Sequence, residues 1–332
     1  MTSDLQVNPQ ADLDRRLEQD APLALSLVVP VFNEAETVNL FVERVESVFN
    51  DPDAVQVEYV FVNDGSSDAT LDILLLLQRR IARLRVVDLS RNFGKEAALS
   101  AGLRCATGQV VVPIDVDLQD PPELILEMID KWREGYEVVL GRRVDRTSDS
   151  WAKRASANWF YRIHNRIADP AIPENVGDFR LMDRQVVDAL NDLPESRRFM
   201  KGLFAWVGFR TVCIDYSRPE RIAGSSKFNG WRLWNFALEG ITSFSTDPLK
   251  IWTYLGIAVS LGSFLFATLI VLKVVFYGVD VPGYASIMVA VTFLGGLQLI
   301  GIGVLGEYLG RTYLESKRRP VYLVRRLYEN KD

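Results

Sequence analysis

Histidine is almost absent from this sequence of 332 residues, His164 being the only one. A metal site built from several imidazoles is therefore excluded, and a Ser-His-Asp relay would have to rest on that single ring. No GxSxG elbow accompanies it, so a surface or interface role for His164 fits better than hydrolase chemistry. Cysteine is scarce too: Cys105 and Cys213 lie outside any CxxC pair. That spacing argues against zinc or dithiol chemistry and suits a reduced, cytosolic body. Basic residues are not in excess either. The net charge of -5 lacks the footprint of a nucleic-acid binder, and no nucleic-acid partner is expected. Neither a GxGxxG after the first strand nor a Walker lysine is found, which disfavours a dehydrogenase and a P-loop NTPase. Residues 1–22 are polar and mixed in charge, with no apolar core of a signal peptide, and read as a flexible leader.

Charge is also missing locally. The chain as a whole is 48% hydrophobic and 24% charged, ordinary for a globular protein. Charge is nevertheless dense up to about Lys250 and nearly absent from Ile251 to Gly306. Two runs, Ile251–Leu272 and Tyr284–Gly306, carry none and are each long enough to span a bilayer core. They predict two transmembrane helices, about 251–274 and 284–306, within a segment 249–310. The short connector between them implies an antiparallel hairpin. Lys250 lies before it, Arg311, Lys317, Arg318 and Arg319 after it, and Lys273 is the only cation in the connector. The positive-inside rule then puts both flanks, and the body before them, in the cytoplasm. Gly295, Gly296, Gly301, Gly303 and Gly306 permit close helix packing. A buried hairpin in a soluble fold is the competing reading, disfavoured by the purity of two adjacent runs.

From Leu23 the pattern alternates between short apolar, β-rich runs and helical ones. Strands are predicted at Leu25–Val31, Val57–Val62, Leu84–Leu89, Val110–Ile114 and Glu137–Leu140. Helices are predicted between them at Thr37–Phe49, Asp68–Ile81, Lys95–Ala106 and Pro122–Arg133. This alternation argues for an α/β domain with a mostly parallel sheet covered on both faces, over residues 23–230. Beyond Arg143 the pattern is less regular. A helix is read at Trp151–Ile167, a loop at Ala168–Arg180, a helix from about Arg184 and a strand at Phe209–Tyr216. Trp231–Phe244 has aromatics and leucines near helical spacing. It reads either as a core helix or, preferred here because of its place before the apolar runs, as an interfacial helix over 231–248. Residues 311–332 read as a basic cytoplasmic C-terminal segment.

In sheets of this kind ligands bind beyond the carboxyl ends of the strands. The first strand ends in Pro30-Val31-Phe32-Asn33-Glu34 and the second in Asn63-Asp64-Gly65-Ser66-Ser67-Asp68. A turn and a helix cap explain Ser67 or Asp68. They do not explain why successive strands deliver carboxylates to one edge. Ionised carboxylates only accept hydrogen bonds, which suits ribose hydroxyls and the imide N–H of uracil. The fourth strand ends in Asp115-Val116-Asp117-Leu118-Gln119-Asp120. A DxD pair after a buried strand offers hard oxygen ligands for Mg²⁺ or Mn²⁺, with substrate phosphates completing the shell.

These motifs, PVFNE, NDGSSD and DVDLQDPPE in that order, resemble the GT-A glycosyltransferases of family 2. More narrowly, SRNFGKEAALSAG, GDFRLMDR, RFMKGLFAWVG and the C-terminal VPGYAS and GEYLGR resemble bacterial polyprenyl-phosphate glycosyltransferases of the bactoprenol glucosyltransferase type. Dolichol-phosphate mannosyltransferases are more distant relatives. The resemblance covers roughly Leu25 to Leu327. It implies a Rossmann-like GT-A catalytic domain, a nucleotide-sugar donor, a polyprenyl phosphate acceptor, a bacterial cytoplasmic membrane location and self-association, by resemblance a tetramer.

The resemblance also implies residue roles. Pro30, Phe32, Asn33, Glu34 and Asp64 hold the nucleoside, and Asp115, Asp117 and Gln119 hold the divalent metal. Lys95 and the mobile-loop residues Arg221 and Lys227, in Arg221-Ile-Ala-Gly224-Ser-Ser226-Lys227, join the donor site. Arg143 matches an arginine that meets the acceptor phosphate; Arg180 of GDFR, near it, and Lys153 are placed there too. Asp117, Asp178 and Arg180 are taken as catalytic. The wider family usually has a small residue where this chain has Asp178, so its role is not copied. Asp178 could orient the acceptor, complete the metal shell or take a residual proton.

Family 2 enzymes invert, which implies one in-line displacement by a phosphate oxygen. A phosphate monoester has its second pKa near 6 and needs no strong base, only positioning and charge screening. Glucose from UDP-glucose is the donor favoured by similarity, with GDP-mannose, UDP-N-acetylglucosamine or a UDP-aminoarabinose derivative as alternatives. A non-catalytic membrane scaffold with a vestigial sugar-nucleotide domain is the rival of another class. A processive polysaccharide synthase is disfavoured because no QxxRW motif is found.

Overall fold

The structure is a computed structural model. The structure describes residues 22–144, 176–195, 198, 200–217 and 283–330, with scattered positions between 252 and 277. The expected helices at Trp151–Ile167 and Trp231–Phe244, together with Lys153, His164, Arg221, Gly224, Ser226 and Lys227, lie outside these residues.

Eight strands form one sheet: β1 (Leu23–Val31), β2 (Val55–Asn63), β3 (Leu84–Leu89), β4 (Val110–Pro113), β5 (Val138–Arg143), β6 (Val176–Asp183), β7 (Thr211–Tyr216) and β8 (Val324–Tyr328). Their order across the sheet is β7-β5-β6-β4-β1-β2-β3-β8. β1 runs parallel to β2 and β4, β2 to β3, and β5 to β7, whereas β6 is antiparallel to β4 and β5, and β8 to β3. Helices α1 (Val38–Val48), α2 (Thr70–Arg80), α3 (Lys95–Cys105), α4 (Leu124–Arg133), α5 (Arg184–Asp192) and α6 (Met200–Trp206) accompany it, followed by the long α7 (Tyr284–Ser316).

Two apolar layers bury the sheet. On one face Phe41, Phe61, Leu74, Ile125, Phe179 and their neighbours are closed from solvent. On the other, Val28, Val60, Leu99, Leu103, Met182 and Leu190 are equally closed. Alternate strand residues therefore feed opposite layers, which is why β4 and the second halves of β1 and β2, Leu27–Val31 and Tyr59–Val62, read as apolar runs. A fully buried Leu or Phe contributes roughly 2 kcal/mol, so the central strands are the most firmly held part of the molecule.

Most expected elements are present with ends shifted by one to three residues. α4 starts at Leu124, not Pro122, because Pro121 and Pro122 form the preceding turn and their carbonyls accept the N–H groups of Leu124 and Ile125. Three differences matter more. The expected loop Ala168–Arg180 is β-strand from Val176 onward. Phe179 and Leu181 enter one layer and Val176 and Met182 the other, while Asp178 and Arg180 interrupt the apolar pattern. Met200–Trp206 is a helix where none was expected. The segment 311–332 does not trail as a basic tail: α7 continues to Ser316, and Val324–Tyr328 pairs with β3 as the edge strand. Of its basic residues, Arg325 has partners in the body: it bonds the Ser90 carbonyl and lies 3.6 Å from buried Asp88.

Of the two apolar runs, the second is continuous helix and the first is described only at scattered helical positions. Counting described residues alone, no helix is long and apolar enough to cross a membrane. The backbone of α7 nonetheless runs through 33 residues, with no charge in its part from Tyr284 to Gly306. Trp252 from the first run lies against it at Gly301, where a Cβ would come 3.4 Å from the indole.

Candidate active site

The carboxyl ends of β1, β2, β3 and β4 share one edge of the sheet, and antiparallel β6 begins at that edge. Asn33, Asp64, Asp115, Asp117 and Asp178 are thus gathered from four different strands.

The loops after β1 and β2 are laced together. Asn33 accepts the Ser67 N–H at 2.8 Å through its side-chain oxygen, and its own N–H donates to Ser66 Oγ at 3.0 Å. Glu34 N–H donates to Thr70 Oγ1, and the Glu34 carboxylate accepts from Thr37. Asn33 adopts a left-handed φ of 56°, which asparagine tolerates better than most residues. Pro30 closes the strand beside it, and Phe32 is 45% exposed at the rim, free to pack against a planar ligand.

Asp64 is used differently from the expected ribose contact alone. It is buried, and its two oxygens accept the N–H groups of Phe93 at 2.7 Å and Gly94 at 2.9 Å. Burial raises its pKa, and those two bonds and Arg91 oppose the rise. Asp64 therefore clamps the turn that leads into α3. Gly65 is required in the same clamp. Its φ is +67°, and a Cβ there would lie 2.6 Å from the backbone of Arg91 and Asn92. Gly94, at φ +97°, makes the last turn before the helix.

What the clamp delivers is Lys95. Its Nζ lies 2.7 and 2.9 Å from the two oxygens of Asp115 and 2.9 Å from Asp178. Burial would lower the lysine pKa, but the two carboxylates carry it well above its ordinary value. Burial would likewise raise Asp178, yet Lys95, Lys201 and Arg180 hold it down to about 2. Asp178 is thus ionised at neutral pH, and it shares one cation with Asp115.

The Asp115–Asp120 loop makes a second left-handed turn at Leu118, φ 56°. It brings the Gln119 N–H to Asp117 at 3.1 Å. A non-glycine residue held there stores about 1–3 kcal/mol, a cost that clusters at functional sites. Gln119 and Asp120 are buried, and Asp117 is half-buried. Among the described residues, no group of three or more His, Cys, Asp or Glu converges as a ready metal cage. The set on offer is two carboxylates and an amide in one loop, all hard oxygen donors.

The two expected acceptor arginines are on opposite faces. Arg143 donates to Tyr216 Oη at 3.3 Å and lies 3.9 Å from Asp120, which itself accepts from Tyr216 at 2.5 Å. Tyr216 belongs to the layer that contains Phe179. Arg180 points into the other layer, with its guanidinium 3.9 Å above the Phe204 ring and Nη2 donating to the Gly177 carbonyl at 2.7 Å. Burial pushes its pKa down to about 10.

Sequence reasoning missed Glu96. Its carboxylate accepts the Met200 N–H of α6 at 3.2 Å. Burial and then the charge of Asp178 raise it to about 7. A polar residue beside Lys95 in a first helical turn carries no local sign of this, because the partner is 104 residues away. Lys201 was missed for the same reason.

Residues 26–190 match the model of glycosyl transferase family 2, a span that ends just beyond β6. The chain is 52% identical over 305 residues to a prophage bactoprenol glucosyl transferase homolog of Escherichia coli K12, covering 92% of this chain and 99% of that protein. It is 53% identical over 303 residues to the bactoprenol glucosyl transferase of Shigella phage SfX, covering 91% and 99%. Among solved structures, glucosyl-3-phosphoglycerate synthase from Mycobacterium tuberculosis, with Mn²⁺, UDP and phosphoglyceric acid, matches with a TM-score of 0.49 at 17% identity, over 70% of this chain and 80% of that one. With a mostly parallel sheet whose acidic strand ends meet at one edge, and relatives alike over nearly their whole length, the chain belongs to glycosyl transferase family 2 and is a glycosyltransferase.

Proposed function

We propose that the protein transfers glucose from UDP-glucose to the phosphate of a polyprenyl lipid at the cytoplasmic face of a bacterial membrane. The names of the similar glucosyl transferases favour glucose as the sugar and bactoprenol as the acceptor. The observation that carries the reading is Lys95 bridging Asp115 and Asp178, because it joins the DxD loop to the acid that begins β6.

Asp115, Asp117 and Gln119 suit a Mg²⁺ or Mn²⁺ ion in donor chemistry: all offer oxygen atoms from one loop, and substrate phosphates would complete the shell. Such an ion would neutralise charge developing on the departing diphosphate. The chain's own groups have separate tasks. Asn33, Glu34 and Asp64 shape the nucleoside end, with Pro30 and Phe32 forming its wall. Lys95 supplies positive charge beside the diphosphate, and Arg221, Lys227 and Lys153 are assigned to phosphates from outside the described residues. Asp178, kept ionised by two lysines, orients the attacking group; its low pKa disfavours the role of proton acceptor.

Membrane attachment is part of the proposal. α7 is about 50 Å long at 1.5 Å per residue, against a hydrocarbon core of about 30 Å. Leu299, Ile300, Ile302, Leu305 and Leu309 are 60–70% exposed on it, a surface that lipid would cover. Its far end is joined by the short segment 317–323 to β8, which would hold the sheet beside the bilayer.

Incubating membranes that contain the protein with labelled UDP-glucose, GDP-mannose and UDP-N-acetylglucosamine, each with undecaprenyl phosphate, tests the reading. One labelled lipid, formed from UDP-glucose, is expected. A product made only from another donor would replace the donor assignment, and no lipid product from any of them would remove the function.

A further inference from the structure

A cavity of about 180 Å³ lies between the β5–β6–β7 end of the sheet and α6. Val138, Leu140, Val176 and Phe204 form apolar wall, and Arg180 and Lys201 are its two cations. It is smaller than the roughly 300–1,000 Å³ pockets that enclose drug-sized ligands, and too small for a nucleotide-sugar.

Its lining carries two cations and no carboxylate. Arg180 is 5% exposed; its hydrogen bonds go to two backbone carbonyls and its guanidinium lies over an aromatic face, while Asp178 and Glu96 act on it only through space. A buried cation without a direct ion pair leaves hydrogen-bonding capacity that an anionic ligand can take up. Arg143 contrasts with it, since Asp120 already faces that guanidinium. The cavity is connected to the reaction centre through β6 and α3. Arg180 follows Asp178 by two residues on the same face of β6, and the charge of Lys201 acts on both Asp178 and Glu96. Glu96, next to Lys95, holds the first N–H of α6. One turn of α3 thus connects the donor loop to the wall of the cavity.

Resting on the function proposed above, we infer that this cavity seats the acceptor's phosphate end, with Arg180 and Lys201 meeting the phosphate and Phe204, Val138, Leu140 and Val176 meeting its first isoprenoid carbons. The site takes an alkyl phosphate monoester, and the bulk of the lipid leaves through the cavity mouth toward the bilayer. Lys201 and Phe204 are then acceptor-binding residues, and Glu96 is a positioning residue acting through α6.

The test uses the full-length protein in detergent and a farnesyl phosphate with a photoreactive group on its first isoprene unit. The label is expected in the peptide containing residues 200–206, competed by farnesyl phosphate and far less by inorganic phosphate or farnesol. Lys201→Gln is expected to raise KM for the lipid about tenfold, the effect of losing one charged contact of about 1.4 kcal/mol, with KM for the donor unchanged. Lys201→Arg should restore most of it, which separates charge from folding. Equal competition by inorganic phosphate would make this a free-anion site and overturn the acceptor assignment. Labelling elsewhere while the wild type still glucosylates the lipid would overturn the cavity and leave the function standing. No transfer to any polyprenyl phosphate would remove both.

Discussion

Lys95 and Asp178 are joined by a 2.9 Å ion pair between the first residue of α3 and the start of β6. The same ammonium holds Asp115. Two carboxylates that would repel one another are kept close by a lysine that is itself placed by Asp64 and Gly65. The site is therefore preorganised through the chain before any ligand arrives.

Replacing Lys95 removes the cation both acids share. Lys95→Met is expected to lower kcat by about 10²-fold, in the range for loss of one preorganised electrostatic group. Lys95→Arg, which keeps the charge, should lose less. Initial rates of lipid labelling at saturating donor check this; equal activity of all three proteins would contradict it.

Asp64→Ala deletes the acceptor for two backbone N–H groups. A hydrogen bond to a charged group contributes about 1.5–3 kcal/mol, so a loss of several kcal/mol of stability is expected. Because Lys95 follows the released turn, KM for the donor should rise as well. Thermal melting and donor titration measure the two effects.

Gly65→Ala meets backbone rather than a mobile side chain, at 2.6 Å, and at a positive φ. Rotamer changes cannot relieve it. A destabilisation of about 2 kcal/mol or more is expected from strain of this kind, and a melting point equal to wild type would show that the 91–92 turn can shift.

Glu96 gives a pH signature. Its folded-state pKa, about 7, lies above the ordinary 4.5, so its contribution to stability is complete below 4.5 and lost as pH rises through about 7. Relative to Glu96→Gln, the wild type should lose melting temperature between pH 5 and 8. Parallel curves for the two proteins would contradict the shift.

How much of this was legible in the sequence follows from where partners sit along the chain. β1 to β5 and the four helices between them are marked by local apolar period, and the acidic strand ends follow from their position in such a sheet. β6 was hidden because Asp178 and Arg180 occupy alternate positions in a strand whose apolar residues from Val176 to Met182 are buried. β8 was hidden because VRRLY reads as basic surface until β3, some 235 residues earlier, supplies its edge, as the Arg325–Ser90 bond shows. The oxygen donors of the DxD loop could be proposed from the motif. That Lys95 pins two of the acids, and that Arg143 and Arg180 face opposite layers, required the register of β5 on β6.

The most direct measurement of the central claim is lipid glucosylation by wild type, Asp117→Ala and Asp178→Asn in the same vesicles, with and without EDTA. The account predicts one labelled polyprenyl-phosphate product from the wild type, abolished by EDTA and by Asp117→Ala, and cut at least tenfold by Asp178→Asn. Undiminished product in EDTA, or from both variants, would contradict it.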